Sequence, residues 1–150
     1  MTDPELHFED FEVGDRYEFG SHEITEAEIT AFAERYDPQR PHLDPEMAEE
    51  TEFGELVASG LHTLCVCCRM AVDELFARTA VVAGIGFDRL RFLRPVRPSD
   101  ELSGWVEVVR TEPSDDHRGG YVDFELVGVD QNDDPVVRCV DLVIVESRGR

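Results

Sequence analysis

A chain of 150 residues fits one domain and is long enough to bury a working core without disulfides or a structural metal. Acidic side chains outnumber basic ones 34 to 14, a formal net charge of −20, and every basic residue is an arginine. That balance excludes unassisted nucleic-acid binding, which demands a basic patch, and the 41% of apolar residues, periodically spaced, exclude a disordered acidic protein.

No apolar run approaches the length of a membrane span, and the acidic start MTDPELHFEDFEVGD lacks the basic-then-apolar pattern of a secretory signal. No membrane association is expected, and the expected location is cytoplasmic. Acidic charge spread through every segment, with no lysine, points to a salt-rich, halophilic cytoplasm.

In chain order, Gly14-Asp15 marks a turn leading into a strand near Arg16–His22. Thr25-Glu26-Ala27-Glu28 has capping-box spacing, and Ile24, Ala27, Ile29, Phe32 and Ala33 recur at near-helical intervals, so a helix is predicted to about Tyr36. Pro38 and Pro41 disfavour helical geometry at Asp37 and Arg40, and Pro45 suits the first turn of a short helix over Pro45–Glu50. The longest helical signal runs from Glu55 to Arg78. Its predicted buried stripe is Leu61, Leu64, Cys65, Cys68, Val72, Leu75 and Phe76, with His62, Arg69, Asp73 and Glu74 on the polar side. Four strands follow at Val81–Leu93, Glu101–Thr111, Gly120–Asp130 and Pro135–Glu146, separated by turn clusters. Strands in succession after the helices imply antiparallel pairing and an α+β fold. Cys65 and Cys68 form a C-x-x-C without a second pair or a histidine cluster at zinc spacing, so the four cysteines are read as packing residues and no metal is expected.

Asp37 and His42 stand five residues apart in a proline-stiffened loop. On a continuous helix they would point roughly 140° apart, whereas a bent loop can turn both into one cavity. A carboxylate and an imidazole facing one water make a general acid/base pair. Ser59-Gly60 opens the long helix, where free backbone N–H groups and the helix dipole suit a carbonyl oxygen that becomes negative.

These segments resemble the MaoC-like dehydratase family, which includes R-specific enoyl-CoA hydratases. The resemblance rests on Asp37, His42 and Asp44 with Pro38-Gln39-Arg40-Pro41 between, on Phe53-Gly54 and Val57-Ala58-Ser59-Gly60, and on Arg94-Pro95-Val96-Arg97-Pro98-Ser99-Asp100, where Ser99 replaces a glycine. It extends in order over about residues 8 to 146. It implies a hotdog fold, one long central helix wrapped by an antiparallel sheet. It also implies water addition to a 2-enoyl thioester, with Asp37 and His42 as base and acid in an unassigned order and the Gly60 amide as the donor that stabilises the enolate. Cys68 stands where some members carry a serine near the acid/base pair. Ser59, Arg89 and Arg91 are candidate substrate-binding residues, the arginines as a means of drawing anionic acyl-CoA to an acidic surface. The expected partners are acyl-CoA and a second copy of the chain, in a homodimer or larger assembly; no cofactor is expected. A hotdog thioesterase and a non-catalytic acyl-thioester-binding subunit are the competing functions.

The charge carries its own prediction. Raising KCl from about 0.1 M to about 1 M shortens the screening length from about 10 Å to about 3 Å, so the melting temperature should rise over that range. A melting temperature that stays flat or falls would contradict the halophilic reading.

Overall fold

The computed structural model describes residues 2–116 and 118–149. The first strand, β1, is Arg16–Glu23. The first helix, α1, is Glu26–Tyr36, capped by the Thr25 hydroxyl, which accepts the Glu28 N–H. It stops at Tyr36 because Asp37 precedes Pro38, although the Asp37 N–H still donates to the Ala33 carbonyl at 2.9 Å. A single turn, α2, Arg40–Leu43, follows. Arg40 was expected to avoid helical geometry, but Pro41 falls in the first turn of this helix, where no backbone N–H is needed. The short α3, Pro45–Glu49, is capped by the Asp44 carboxylate.

The central helix, α4, is Gly60–Glu74, shorter than its sequence signal. Upstream, the Val57 N–H donates to the Pro41 carbonyl and the Ala58 N–H to Val96, so this stretch is tied to neighbouring loops before the helix can begin. Downstream, Phe76–Arg78 tighten into a 3-10 turn. Strands β2 (Val81–Phe92), β3 (Glu101–Ser114), β4 (Gly119–Val129) and β5 (Pro135–Glu146) join β1 in one sheet of order β1-β3-β4-β5-β2. Every neighbouring pair is antiparallel. The sheet wraps α4, which packs on β1, β3 and β5. This is the hotdog arrangement.

The core lies between α4 and the inner sheet face. Cys67 and Ala71 of α4 and Leu75 just after it are fully buried against Val106, Val108, Phe124, Leu126 and Cys139. Phe124 also meets Phe11 and Phe76 edge-on; truncating so central a ring to alanine costs about 3–5 kcal/mol. At its centre the helix sits in a notch at Gly128, whose cross-strand neighbour on β3 is Gly104. A Cβ on Gly128 would lie 2.5 Å from the Cys67 sulfur. Burial pushes the Cys67, Cys68 and Cys139 thiols up to about 12, so these thiols stay protonated and pack as small apolar groups.

The expected stripe along α4 holds in part: Leu64 and Leu75 are buried and Cys68 and Phe76 pack on the core. Leu61, Cys65 and Val72, one line along the helix, are exposed, whereas His62, Thr63, Cys67 and Met70 are buried. The helix is rotated because α1 and the loop before α4 cover its polar first turn.

The turn before β3 stores strain. Ser99 has a φ of 76°, in the left-handed region, and its N–H is held by the Ile24 carbonyl at 2.7 Å. A side chain there costs about 1–2 kcal/mol, so Ser99→Gly should stabilise the protein by about 1 kcal/mol and raise the melting temperature by about 2–4 °C. A lower melting temperature would contradict the strain.

Candidate active site

The site forms where the end of α1 meets the start of α4. Asp37 closes α1, and Ser59 caps α4. The Ser59 hydroxyl donates to Asp37 Oδ2 at 2.6 Å, and its oxygen accepts the Leu61 N–H at 3.2 Å. The other carboxylate oxygen, Oδ1, accepts the Gln39 amide N–H at 2.5 Å. The Ser59 and Gln39 bonds hold the Asp37 pKa below the usual aspartate value, against a smaller opposing push from burial and with further help from His42. Asp37 is therefore an anion at neutral pH.

His42, on α2, has its imidazole fixed from the other side. Nδ1–H donates to the Val57 carbonyl at 2.7 Å. A carbonyl can only accept, so the neutral ring carries its proton on Nδ1 and leaves a lone pair on Nε2. Nε2 stands 3.7 Å from Asp37 Oδ2, and the two side chains are only 12% and 16% exposed. That spacing exceeds a hydrogen bond. The two acceptors are thus close enough for one small donor at their side to reach both.

Beside them lies a cavity of about 230 Å³ whose lining is apolar apart from His42, Thr63 and Arg94. His42 stands in its wall; Asp37 is not among the lining residues and meets the cavity only through its 3.7 Å approach to His42 Nε2. Gly60 also lines the cavity. Its N–H is in the unpaired first turn of α4 and has no acceptor among the described residues. A Cβ at this position would lie 2.6–2.7 Å from the Phe92 ring, so only glycine lets that ring and the helix start share the cavity wall. The geometry offers two neighbouring acceptors, of which His42 lines the cavity, and one backbone donor at a positive helix end in the same largely apolar cavity.

The structure places the other expected residues differently. Ser59 is 1% exposed with its one hydroxyl hydrogen committed to Asp37, so it orients the carboxylate where substrate contact was expected. Arg91 pairs across from Arg138 on the outer sheet face and folds onto the Leu90 carbonyl. Arg89 lies in an irregular part of β2 with a φ of 51°. Neither lines the cavity; Arg94 does. Cys68 is a half-buried thiol packed against the core. Asp44 only caps α3. His62, expected on the solvent side, is buried beneath α1. Gln39 and Arg94 went unnoticed; the signal for Gln39 was an amide two residues after an aspartate, a spacing at which it can bond back.

The chain is similar to known proteins in sequence and in structure. The uncharacterized protein YdeM of Bacillus subtilis (strain 168) is 31% identical over 114 residues, covering 76% of this chain and 81% of that protein. The beta-methylmalyl-CoA dehydratase of Chloroflexus aurantiacus is 25% identical over 154 residues, which span 98% of this chain but only 42% of that protein. The crystal structure of the MaoC-like dehydratase from Rhodospirillum rubrum superposes with a TM-score of 0.87 at 34% identity, covering 97% of this chain and 99% of that one. Residues 10–127 match the family described as MaoC like domain, and the chain belongs to that family.

Proposed function

We propose that this chain is a hydro-lyase that adds water to a 2-enoyl thioester, CoA-linked, to give the R-3-hydroxyacyl product, and that it catalyses the reverse dehydration. The observation that carries the reading is the pair of converging acceptors, Asp37 Oδ2 and His42 Nε2, 3.7 Å apart beside the Gly60 N–H. A water between them donates one hydrogen to each. Since neither group holds a proton on that side, the hydrogen that ends on C2 comes from the water itself.

The two donors on Asp37 weaken it as a base, and an imidazole is intrinsically the stronger base of the two types. His42 Nε2 therefore takes a proton as the water oxygen bonds to C3. The alkene electron pair shifts through C2 to the thioester oxygen, where the Gly60 N–H and the α4 dipole stabilise the enolate. The imidazolium, paired with the Asp37 anion, then returns its proton to C2. One O–H bond breaks, C–O and C–H bonds form on the same face, and the enzyme is unchanged. Arg94 at the cavity is suited to the anionic part of the thioester ligand.

The proposal extends to assembly and place. β2 is a 12-residue edge strand with β5 on one side only. It exposes Val82, Ile85, Phe87 and Phe92, in line with the exposed Leu61 and Val72 of α4. A long apolar edge needs cover, and an antiparallel copy of β2 supplies it with two-fold symmetry. We assign the homodimer to this edge, in the cytoplasm of a salt-rich cell.

Asp37→Asn should lower kcat by about 10²–10⁴-fold with the fold intact, and His42→Ala likewise. The readout is the fall in enoyl-CoA absorbance in concentrated salt. A folded double variant that hydrates at the wild-type rate would overturn the site, and thiol release from saturated acyl-CoA would point to a thioesterase instead. In sedimentation, wild type should run as a dimer and Phe87→Arg as a monomer; a monomeric wild type removes the β2 assignment.

A further inference from the structure

Glu28 gathers more polar partners than the capping residue it was expected to be. Its carboxylate accepts from His22 Nε2 on β1 at 2.9 and 3.1 Å, from His62 Nε2 on α4 at 3.2 Å, and from the Thr25 hydroxyl at 3.3 Å. His62 is 6% exposed and stacks on Phe32, with ring centroids 5.0 Å apart and planes 14° from parallel. Its Nδ1 is buried with no partner among the described residues. Since Nε2–H is committed to a carboxylate, Nδ1 holds the lone pair, and a proton there would be buried without an acceptor. Burial lowers the His62 pKa, with Glu28 only partly opposing it. The ring is neutral and donates in one direction.

An orphaned ring nitrogen at a buried position is costly, and an apolar side chain would fill the space at less expense. Its location supplies the reason. His62 lies one helical turn beyond Ser59 on α4, so the two share a face. Across from them runs α1, with Glu28 near its start and Asp37 at its end. The first turn of α4 therefore grips α1 twice, His62 on Glu28 and Ser59 on Asp37, with Phe32 between. Ile29 and Ala33 bury α1 in the core, but apolar contact is non-directional and leaves the slide and rotation of a helix loosely set. The Asp37 N–H continues the α1 ladder to Ala33, and the chain runs on to His42 through Gln39, whose N–H donates to the Asp37 carbonyl and whose carbonyl accepts the His42 N–H; the His42 ring is fixed by the Val57 carbonyl. A shift of α1 moves the Asp37 carboxylate relative to that ring.

We propose that His62, acting through Glu28, is a positioning residue for Asp37: it fixes the setting of α1 so that the carboxylate keeps its bond to Ser59 and its distance from His42. The kinetic consequence rests on the hydratase reading; the geometric one does not. The test uses the full chain in concentrated salt, with variants His62→Leu, His62→Gln and Glu28→Ala. Each is followed by kcat, KM and the acid titration of the Asp37 carboxyl carbon by NMR. His62→Leu should lower kcat by about tenfold or more with KM within about twofold, since small misplacements of a reacting group are costly. Its Asp37 midpoint should move up toward the ordinary 3.8 as the Ser59 bond loosens. His62→Gln, which keeps a side-chain N–H, should restore most of both. Glu28→Ala should match His62→Leu and decides the matter if the leucine variant does not fold. A folded His62→Leu or Glu28→Ala with either the Asp37 midpoint or kcat at the wild-type value overturns the proposal, as does a glutamine variant no better than leucine. If wild type shows no hydratase activity, that reading fails and the titration alone decides this one.

Discussion

Two helix ends meet at one short hydrogen bond, from the Ser59 hydroxyl to Asp37 Oδ2 at 2.6 Å, and the candidate site is built around it. The serine satisfies an orphan N–H at the start of α4 and in the same act holds the carboxylate that terminates α1. With Gln39 on the second oxygen, Asp37 is kept ionised and aimed. His42 is aimed by a bond that contains no ionisable partner, the Val57 carbonyl, so its free nitrogen faces the carboxylate as a second acceptor. Neither residue could do this alone, since a loop carboxylate without donors would rotate and an imidazole without Val57 could present either tautomer. Preorganisation of this kind is what allows a weak pair of bases to act on water.

Much of this was legible in the sequence because it is local. The Thr25 cap, the end of α1 before Pro38, the Asp44 cap and the span Pro135–Glu146 follow from short-range chemistry, and the structure reproduces them. The spacing of Asp37 and His42 was legible too, and so was Gly60 at a helix start. The phase of α4 was legible only in part. A hydrophobic stripe reports which residues are apolar, and Leu61, Cys65 and Val72 are apolar residues left on the outside. His62 is a polar residue placed inside because a long-range partner reaches it, Glu28 being 34 positions away. For the same reason Arg89 and Arg91 looked eligible from strand alternation, but the irregular pairing of β2 and the turn after it put Arg94 at the cavity instead.

Charge and edge strand pull against each other across the molecule. A net charge of −20 keeps copies apart in dilute buffer, while the uncovered face of β2 favours their union. Salt resolves the conflict by screening the first without weakening the second. Within one chain the same competition is met by clustering arginines against carboxylates, as in Arg97 with Glu55 and Arg148 with Asp10. Such exposed pairs contribute little each, so stability rests on the sheet, α4 and the glycine notch between them.

The most direct measurement is a crystal structure of the chain with a bound R-3-hydroxyacyl-CoA, grown from concentrated salt. If Asp37 and His42 share one reacting oxygen, the 3-hydroxyl will lie within hydrogen-bond reach of both Oδ2 and Nε2, with the thioester carbonyl on the Gly60 N–H. A hydroxyl that meets neither group, or a thioester seated outside the cavity, would contradict that arrangement.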